Sequence, residues 1–136
     1  MKSIAAAAVL TLVILYCGVS VADEKKAVKI TGVYSDMRIS QQSGDVIGIE
    51  IVLVPSRAGY FVVFQASEGE PDKPLVVPAR VSRDGLEFVL PESSSYTGKF
   101  IGRFTCSGLE GSFDAGQRSP KGEKVFKLQR QRSIWQ

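Results

Sequence analysis

Apolar stretches of strand length recur along this chain at short intervals, and this pattern constrains the fold more than any other feature of the sequence. Beyond residue 22, no long segment shows the apolar period of about 3.6 residues that marks a helix. Glycine, proline, serine and aspartate cluster between the stretches, as turns require. The eight stretches cover residues 27–39, 46–54, 59–66, 75–82, 86–90, 97–106, 109–114 and 124–130. They predict an all-β protein.

Eight consecutive strands with short connections favour an eight-stranded antiparallel up-and-down (meander) β-barrel. In such a barrel the last strand pairs with the first, so that no sheet edge stays exposed. A β-sandwich is the alternative, but the longest connection, of about nine residues, does not require a Greek-key crossing. The stretch 46–54 is apolar on both faces except at Glu50. We therefore expect its outer face to be covered, either by the terminal segment with Trp135 or by another molecule.

The segment 98–113 can be registered as one hairpin with a two-residue turn at Ser107-Gly108. Each strand glycine then lies under a phenylalanine of the opposite strand, an arrangement that bends a sheet without leaving a hole. Cys106 falls on the inward face, where we expect a buried, unreactive thiol. Arg103 on the outer face can reach Glu110 or Asp114 diagonally. The predicted opposite pairs are Cys106 with Leu109, Phe104 with Gly111, and Gly102 with Phe113.

A second hairpin is predicted from Asp84-Gly85, which is a strong turn signal between alternating strands. This register makes one face apolar and the other mixed, as a half-buried antiparallel sheet requires. The predicted pairs are Val81 with Phe88 and Ala79 with Leu90 on the apolar face, and Ser82 with Glu87 and Arg80 with Val89 on the other.

Residues 1–22 have the pattern of a secretory signal peptide. Lys2 gives the positive start, residues 4–16 form the apolar region, and Ser20-Val21-Ala22 is a small-x-small cleavage site. Cleavage would leave residues 23–136 as a single exported domain, in the periplasm or outside the cell. The alternatives are an uncleaved membrane anchor and lipidation at Cys17, against which the bulky Tyr16 argues.

The residue types present exclude most of the common catalytic groups. The chain has no histidine, which excludes the usual triads, histidine zinc sites and the commonest general base. Cys106 is the only cysteine left after signal cleavage, so a thiolate metal site is also excluded. We therefore predict no enzyme activity, no cofactor and no metal.

Charged residues at three places in the sequence each allow a further interpretation. Carboxylates in the loop 68–74 could bind calcium, but the ligand pattern of a calcium motif is incomplete and a solvated loop is favoured. Glu50 is expected on the water-facing side of its strand, the alternative being a buried acid with a raised pKa. The tail 118–132 is basic, but without interleaved aromatic residues it predicts a solvated strand and no nucleic-acid partner.

The order of the predicted strands and turns resembles that of the calycin-like barrels, which include lipocalins and avidins. It resembles more closely the small secreted bacterial proteins of that shape with no assigned activity. The resemblance rests on Gly-x-Phe-x-Gly at 98–102, Leu-x-Gly-x-Phe at 109–113, and Leu128-x-Arg130 followed by Ser133-x-Trp135. Where lipocalins carry Gly-x-Trp near the first strand, this chain has Gly32-Val33-Tyr34.

Two functions follow as hypotheses. The first is a binding module that holds a small apolar molecule in the barrel mouth, since eight strands enclose either packed side chains or one small ligand. The second is an interaction with a cell-envelope protein, such as inhibition of a lysozyme-type hydrolase through the loop 68–74 or 115–121. The residues that would line the ligand site, and that equally suit a packed core, are Phe64, Phe88, Phe100, Phe104 and Phe113.

Overall fold

The computed structural model describes residues 30–114 and 125–131, and these residues form a closed antiparallel β-barrel. No helix occurs in this part of the chain. The predicted all-β class and up-and-down order are confirmed. The strands are β1 (Gly32–Ser35), β2 (Arg38–Ile39), β3 (Val46–Ser56), β4 (Gly59–Gly69), β5 (Leu75–Val81), β6 (Gly85–Leu90), β7 (Gly98–Phe104), β8 (Gly108–Phe113) and β9 (Phe126–Gln131).

The barrel closes because β1 pairs with β9 on one side and with β3 on the other. This confirms the expected pairing of the first strand with the last. The described part of the predicted first strand is divided into β1 and β2, yet both pair with β3 in one continuous register. At the break, the Asp36 side chain accepts a hydrogen bond of 2.7 Å from the Ile49 N–H. Gly48 allows this close approach, since a Cβ atom there would lie 2.7 Å from the Asp36 Oδ1 atom.

The inward side chains of the strands form one hydrophobic core. Alternate residues of each strand point to the same face, so the apolar positions of period two meet inside the barrel. In β6, for example, Leu86, Phe88 and Leu90 are buried, while the intervening Val89 is 60% exposed. The other core residues that are almost fully buried are Tyr34, Ile49, Ile51, Leu53, Val62, Phe64, Ala66, Phe100, Leu109, Phe126 and Leu128.

The hairpin of β7 and β8 has the predicted faces but a different register. Its turn is Cys106-Ser107, closed by a 2.9 Å hydrogen bond from the Thr105 N–H to the Gly108 carbonyl. Gly108 lies outside the turn, where its strand contacts β9. A glycine is required there because a Cβ atom would lie 1.9 Å from the Leu128 carbonyl oxygen. The observed pairs are Phe104 with Leu109, Gly102 with Gly111, and Phe100 with Phe113. The predicted pairs Cys106 with Leu109, Phe104 with Gly111, and Gly102 with Phe113 are therefore wrong by two residues.

Two consequences follow from this register. Gly102 and Gly111 face each other under the single ring of Phe100, where added Cβ atoms would lie 2.6 and 2.5 Å from ring carbons. The glycines are thus covered by an aromatic ring, but by one ring instead of two. The expected burial of Cys106 is wrong, because its position in the turn leaves it exposed.

The hairpin of β5 and β6 is displaced in the same way. Its turn is Arg83-Asp84, with the Ser82 N–H donating to the Gly85 carbonyl at 2.9 Å. Gly85 is needed where β6 meets β7, since a Cβ atom there would lie 3.0 Å from the Gly102 carbonyl oxygen. The observed pairs are Ala79 with Phe88, Arg80 with Glu87, and Val81 with Leu86. The predicted pairs Val81 with Phe88, Ala79 with Leu90, Ser82 with Glu87, and Arg80 with Val89 are wrong by two residues.

Candidate functional site

Four of the five predicted ligand-lining phenylalanines lie together inside the barrel. Phe88 and Phe100 are stacked with their ring centroids 4.9 Å apart. The ring of Phe113 contacts both of them and also Phe64, at centroid distances of 5.1 to 6.2 Å. Phe104 is separate from this cluster and packs on Tyr34 at 5.8 Å. The structure therefore places the predicted residues in two groups, at opposite ends of the core.

The aromatic cluster is covered at one end by Tyr96, a residue of the loop between β6 and β7. We refer to this end as the Tyr96 end; it lies where β4 ends and β7 begins. The ring of Tyr96 lies 5.9 Å from Phe64, 5.5 Å from Phe113 and 5.8 Å from Phe126. In the sequence, Tyr96 is a lone aromatic residue that follows three serines. Sequence reasoning missed it, although an apolar ring in an otherwise polar loop indicates a contact beyond that loop.

The loop that carries Tyr96 is fixed by polar contacts. The Ser94 N–H donates to the Pro91 carbonyl at 3.1 Å. The hydroxyl of Ser95 donates to the carboxylate of Asp72, which belongs to the neighbouring connection from β4 to β5. These contacts join two loops over the Tyr96 end. The Tyr96 side chain itself is held there through its ring contacts.

Acidic residues surround the Tyr96 end. Burial raises the pKa of the Tyr96 hydroxyl, and the nearby carboxylates of Glu68, Asp36 and Asp72 raise it further. The hydroxyl is therefore neutral throughout the physiological pH range. A neutral, apolar molecule matches such a site better than an anion does, because an anion would be repelled by the three carboxylates.

The other end of the barrel, which we refer to as the Tyr34 end, is sealed by polar bonds. Tyr34 is only 2% exposed and its hydroxyl donates to the Ile30 carbonyl. The Arg130 guanidinium lies 6.0 Å from the centroid of the Tyr34 ring and donates to the Thr31 carbonyl at 2.6 Å. Burial raises the pKa of Tyr34, and the positive charge of Arg130 partly opposes this shift. Arg130 is thus part of the barrel closure and not only a residue of a solvated basic strand.

The described residues include two pockets along the barrel wall. The larger of these two, of about 430 Å³, is a slot over the paired residues of β5 and β6 and the neighbouring Lys99 of β7. Phe88 is the one predicted ligand residue that lines it. The smaller, of about 260 Å³, follows the seam between β1 and β9 and is mostly polar. The slot is lined by Pro78, Ala79, Arg80, Glu87, Phe88, Val89 and Lys99.

Glu50 and the acidic loop 68–74 are the two carboxylate sites that the sequence singles out. Glu50 faces outward beside Ser35 and Gln65, but it is only 4% exposed, so its expected contact with water is wrong. The outer face of β3 is therefore covered at this point, while Trp135 lies outside the described residues. Among residues 30–114 and 125–131, no group of three or more histidines, cysteines, aspartates or glutamates could hold a metal ion.

Of the two carboxylates predicted within diagonal reach of Arg103, Glu110 forms the ion pair, with 3.2 Å between the guanidinium and the carboxylate. The two residues are direct and not diagonal cross-strand partners. The predicted signal segment 1–22 and the loop 115–121 lie outside the described residues. Within the described ranges, no helix is long and apolar enough to cross a membrane.

No protein-family model matches this chain, and no curated protein or solved structure is significantly similar to it.

Proposed function

We propose that this protein is an exported binding protein that takes up a small apolar molecule at the Tyr96 end of its barrel. One observation carries the proposal: Phe64, Phe113 and Phe126 form an aromatic surface on which the ring of Tyr96 packs from a connecting loop. Loops positioned on a rigid scaffold commonly carry binding sites. The ligand would take the place of the Tyr96 ring.

The required ligand can be described from the ring that it would replace. An aromatic side chain buries roughly 150–250 Å² when it is fully covered. Tyr96 is half-buried, so a molecule with one or two rings can cover the aromatic surface that is exposed when Tyr96 swings out. The carboxylates around this end favour a ligand without negative charge. The absence of histidine supports binding over catalysis.

The closed barrel is compatible with a calycin-like fold, and we assign the chain to that class as part of the proposal. Gly32-Val33-Tyr34, which replaces the Gly-x-Trp of lipocalins, lies on the first strand, and its tyrosine is buried against Phe104. Arg130 of the last strand packs over that ring. The resemblance and the signal segment together support export to the periplasm or the cell exterior.

The test is a fluorescence titration of the exported protein with N-phenyl-1-naphthylamine, a neutral apolar probe. We expect saturable binding of one molecule, and binding at least five-fold tighter in Tyr96→Ala because the covering ring is gone. Tyr60→Ala, which removes a half-buried tyrosine at the opposite end, is the matched control and should bind as the wild type does. Lack of saturable binding in both wild type and Tyr96→Ala, or an equal effect of Tyr60→Ala, would refute the proposal.

A second candidate function, interaction with a cell-envelope protein, is favoured by the structure of the loop after β4. Its side chains at 70–74 are exposed, yet its backbone is fixed by a bridge between Ser67 and Pro71 and a 2.8 Å hydrogen bond from the Asp72 N–H to the Ala66 carbonyl. An exposed but rigid loop is preorganised for a protein partner.

This second candidate is tested by lysis of a cell-wall suspension with lysozyme in the presence of excess protein. Inhibition that is lost in Pro71→Gly, which loosens the loop, would support it. Unchanged lysis counts against a lysozyme-type partner.

A further inference from the structure

The outer surface of the barrel is apolar across β3, β4 and β5, and we refer to this surface as the apolar wall. Its residues alternate along each strand with residues that belong to the core or pack against it, so they point away from the core. Residues that are paired across the three strands form two apolar rows. The first row is Val52, Val63 and Val76, and the second is Val54, Phe61 and Pro78.

The apolar wall extends onto the strands at both of its sides. On one side, Val33 of β1 pairs with Val52. On the other side, Val89 of β6 lines the slot together with Pro78. The side chains of Val76 and Val89 are 66% and 60% exposed. A contiguous exposed apolar surface of this kind marks an interaction site.

The outer surface of β7, β8 and β9 has a different composition. Outward residues of a solvated antiparallel sheet are normally polar, and most of the outward residues on these three strands are. The apolar wall is therefore a property of one side of the barrel and not of its whole outer surface. The polar residues that face outward on β7, β8 and β9 are Lys99, Arg103, Glu110, Ser112, Lys127 and Gln129.

The two ends of the apolar wall carry opposite charge. At the Tyr34 end, three exposed arginines stand against one aspartate; at the Tyr96 end, four exposed carboxylates stand against one lysine. Glu87, which lies opposite Arg80, is already paired with Lys99 at 2.8 Å. The residues at the Tyr34 end are Arg57, Arg80, Arg83 and Asp84, and those at the Tyr96 end are Asp45, Glu68, Glu70, Asp72 and Lys73.

We propose that the apolar wall is the interface of a homodimer, in which it packs against the same wall of a second copy of this chain. A two-fold axis that lies in the interface and runs perpendicular to the barrel axis makes the two barrels antiparallel. The basic end of each copy then faces the acidic end of the other, so the favourable contact is made twice.

The charges specify both the partner and its orientation. One surface carries a basic end, an apolar middle and an acidic end, and the same surface turned end to end complements it. Barrels packed with parallel axes would bring like charges together at both ends, which is unfavourable. The charge distribution therefore favours an antiparallel second copy.

The dimer does not depend on the proposed ligand site, because the apolar wall lies on the outside of the barrel and the aromatic cluster lies inside it. Ligand binding is measured by probe fluorescence and dimer formation by molecular mass. Either result can fail while the other holds.

The test is sedimentation equilibrium of the exported protein over a range of concentrations, for which we expect a reversible monomer–dimer equilibrium. Val76→Lys puts a charge on the apolar wall at an exposed position and should raise the dissociation constant at least ten-fold. Val125→Lys is the matched control, because Val125 is 58% exposed and directly precedes β9, outside the wall. It should leave the dissociation constant unchanged. Circular dichroism verifies that each variant is folded.

Charge reversal tests the antiparallel orientation. Arg57→Glu and Glu70→Lys should each weaken the dimer several-fold, because each places like charges opposite one another. The double variant should recover most of the affinity, and high salt should reduce the differences among these proteins.

Three results would overturn the proposal: a wild type that stays monomeric, an equal effect of Val76→Lys and Val125→Lys, or no recovery in the double variant. A monomeric wild type is the result expected if the terminal segment with Trp135 covers the apolar wall instead.

Discussion

The two ends of the barrel are both covered by a tyrosine, but in different ways. At the Tyr34 end the tyrosine belongs to a strand, its hydroxyl is bonded to a carbonyl, and Arg130 holds it from above. At the Tyr96 end the tyrosine belongs to a loop and contacts other rings. Ring contacts can be replaced by another apolar molecule, whereas directed bonds cannot. The comparison supports the proposal that a ligand binds at the Tyr96 end, while the Tyr34 end holds the barrel closed.

The largest expected effect is a difference in stability between the alanine variants of the two tyrosines. Tyr34→Ala should lower the free energy of unfolding by about 3–5 kcal/mol, as for other large buried aromatic residues. Tyr96→Ala should cost only about 1–2 kcal/mol, because the side chain is half-buried. Urea unfolding followed by circular dichroism measures both values. Equal reductions in the free energy of unfolding would contradict the difference that we infer between the two ends of the barrel.

The next effect concerns the bond that fixes the Tyr34 end. Arg130→Ala should lower the free energy of unfolding by about 1–2 kcal/mol, at the lower side of the range for hydrogen bonds to charged groups because the side chain is exposed. Arg130→Lys keeps the charge but not the planar group, so it should restore only part of that stability. The same urea experiment applies, and full restoration by lysine would show that only charge matters.

A smaller effect on stability is expected at alkaline pH, and it concerns the tyrosines at both ends of the barrel. The pKa of Tyr34 and that of Tyr96 are raised in the folded protein, so the unfolded chain loses its tyrosine protons first. Stability from these groups is complete below the unfolded pKa of about 10 and is lost as pH rises through the folded values. Tyr96→Phe should make the urea midpoint less sensitive to pH between about 9.5 and 11. An unchanged pH profile would contradict this.

The smallest effect is expected for the exposed pair of Arg103 and Glu110, whose side chains are 73% and 36% exposed. Glu110→Gln should change the free energy of unfolding by less than about 0.5 kcal/mol, since surface ion pairs contribute little. A reduction as large as that of Arg130→Ala would show that the Tyr34 end has no special role in holding the barrel.

The candidate site could be predicted only in part. Phe64, Phe88, Phe100 and Phe113 were predicted to face inward, and they do, because the period of two decides the face. Their packing into one cluster, the separate position of Phe104, and the cover by Tyr96 depend on contacts between residues distant in sequence.

The sequence by itself determined the class of fold, the order of the strands and the inward face of most of them, because apolar alternation and turn residues are local properties. The tertiary structure decided the hairpin registers. Gly85 and Gly108 resemble turn glycines in the sequence, yet each is required where its strand approaches another backbone. That requirement arises from a third strand, so a hairpin considered alone could not reveal it. The same reason applies to Cys106, which the shift of register moved from the core to an exposed turn.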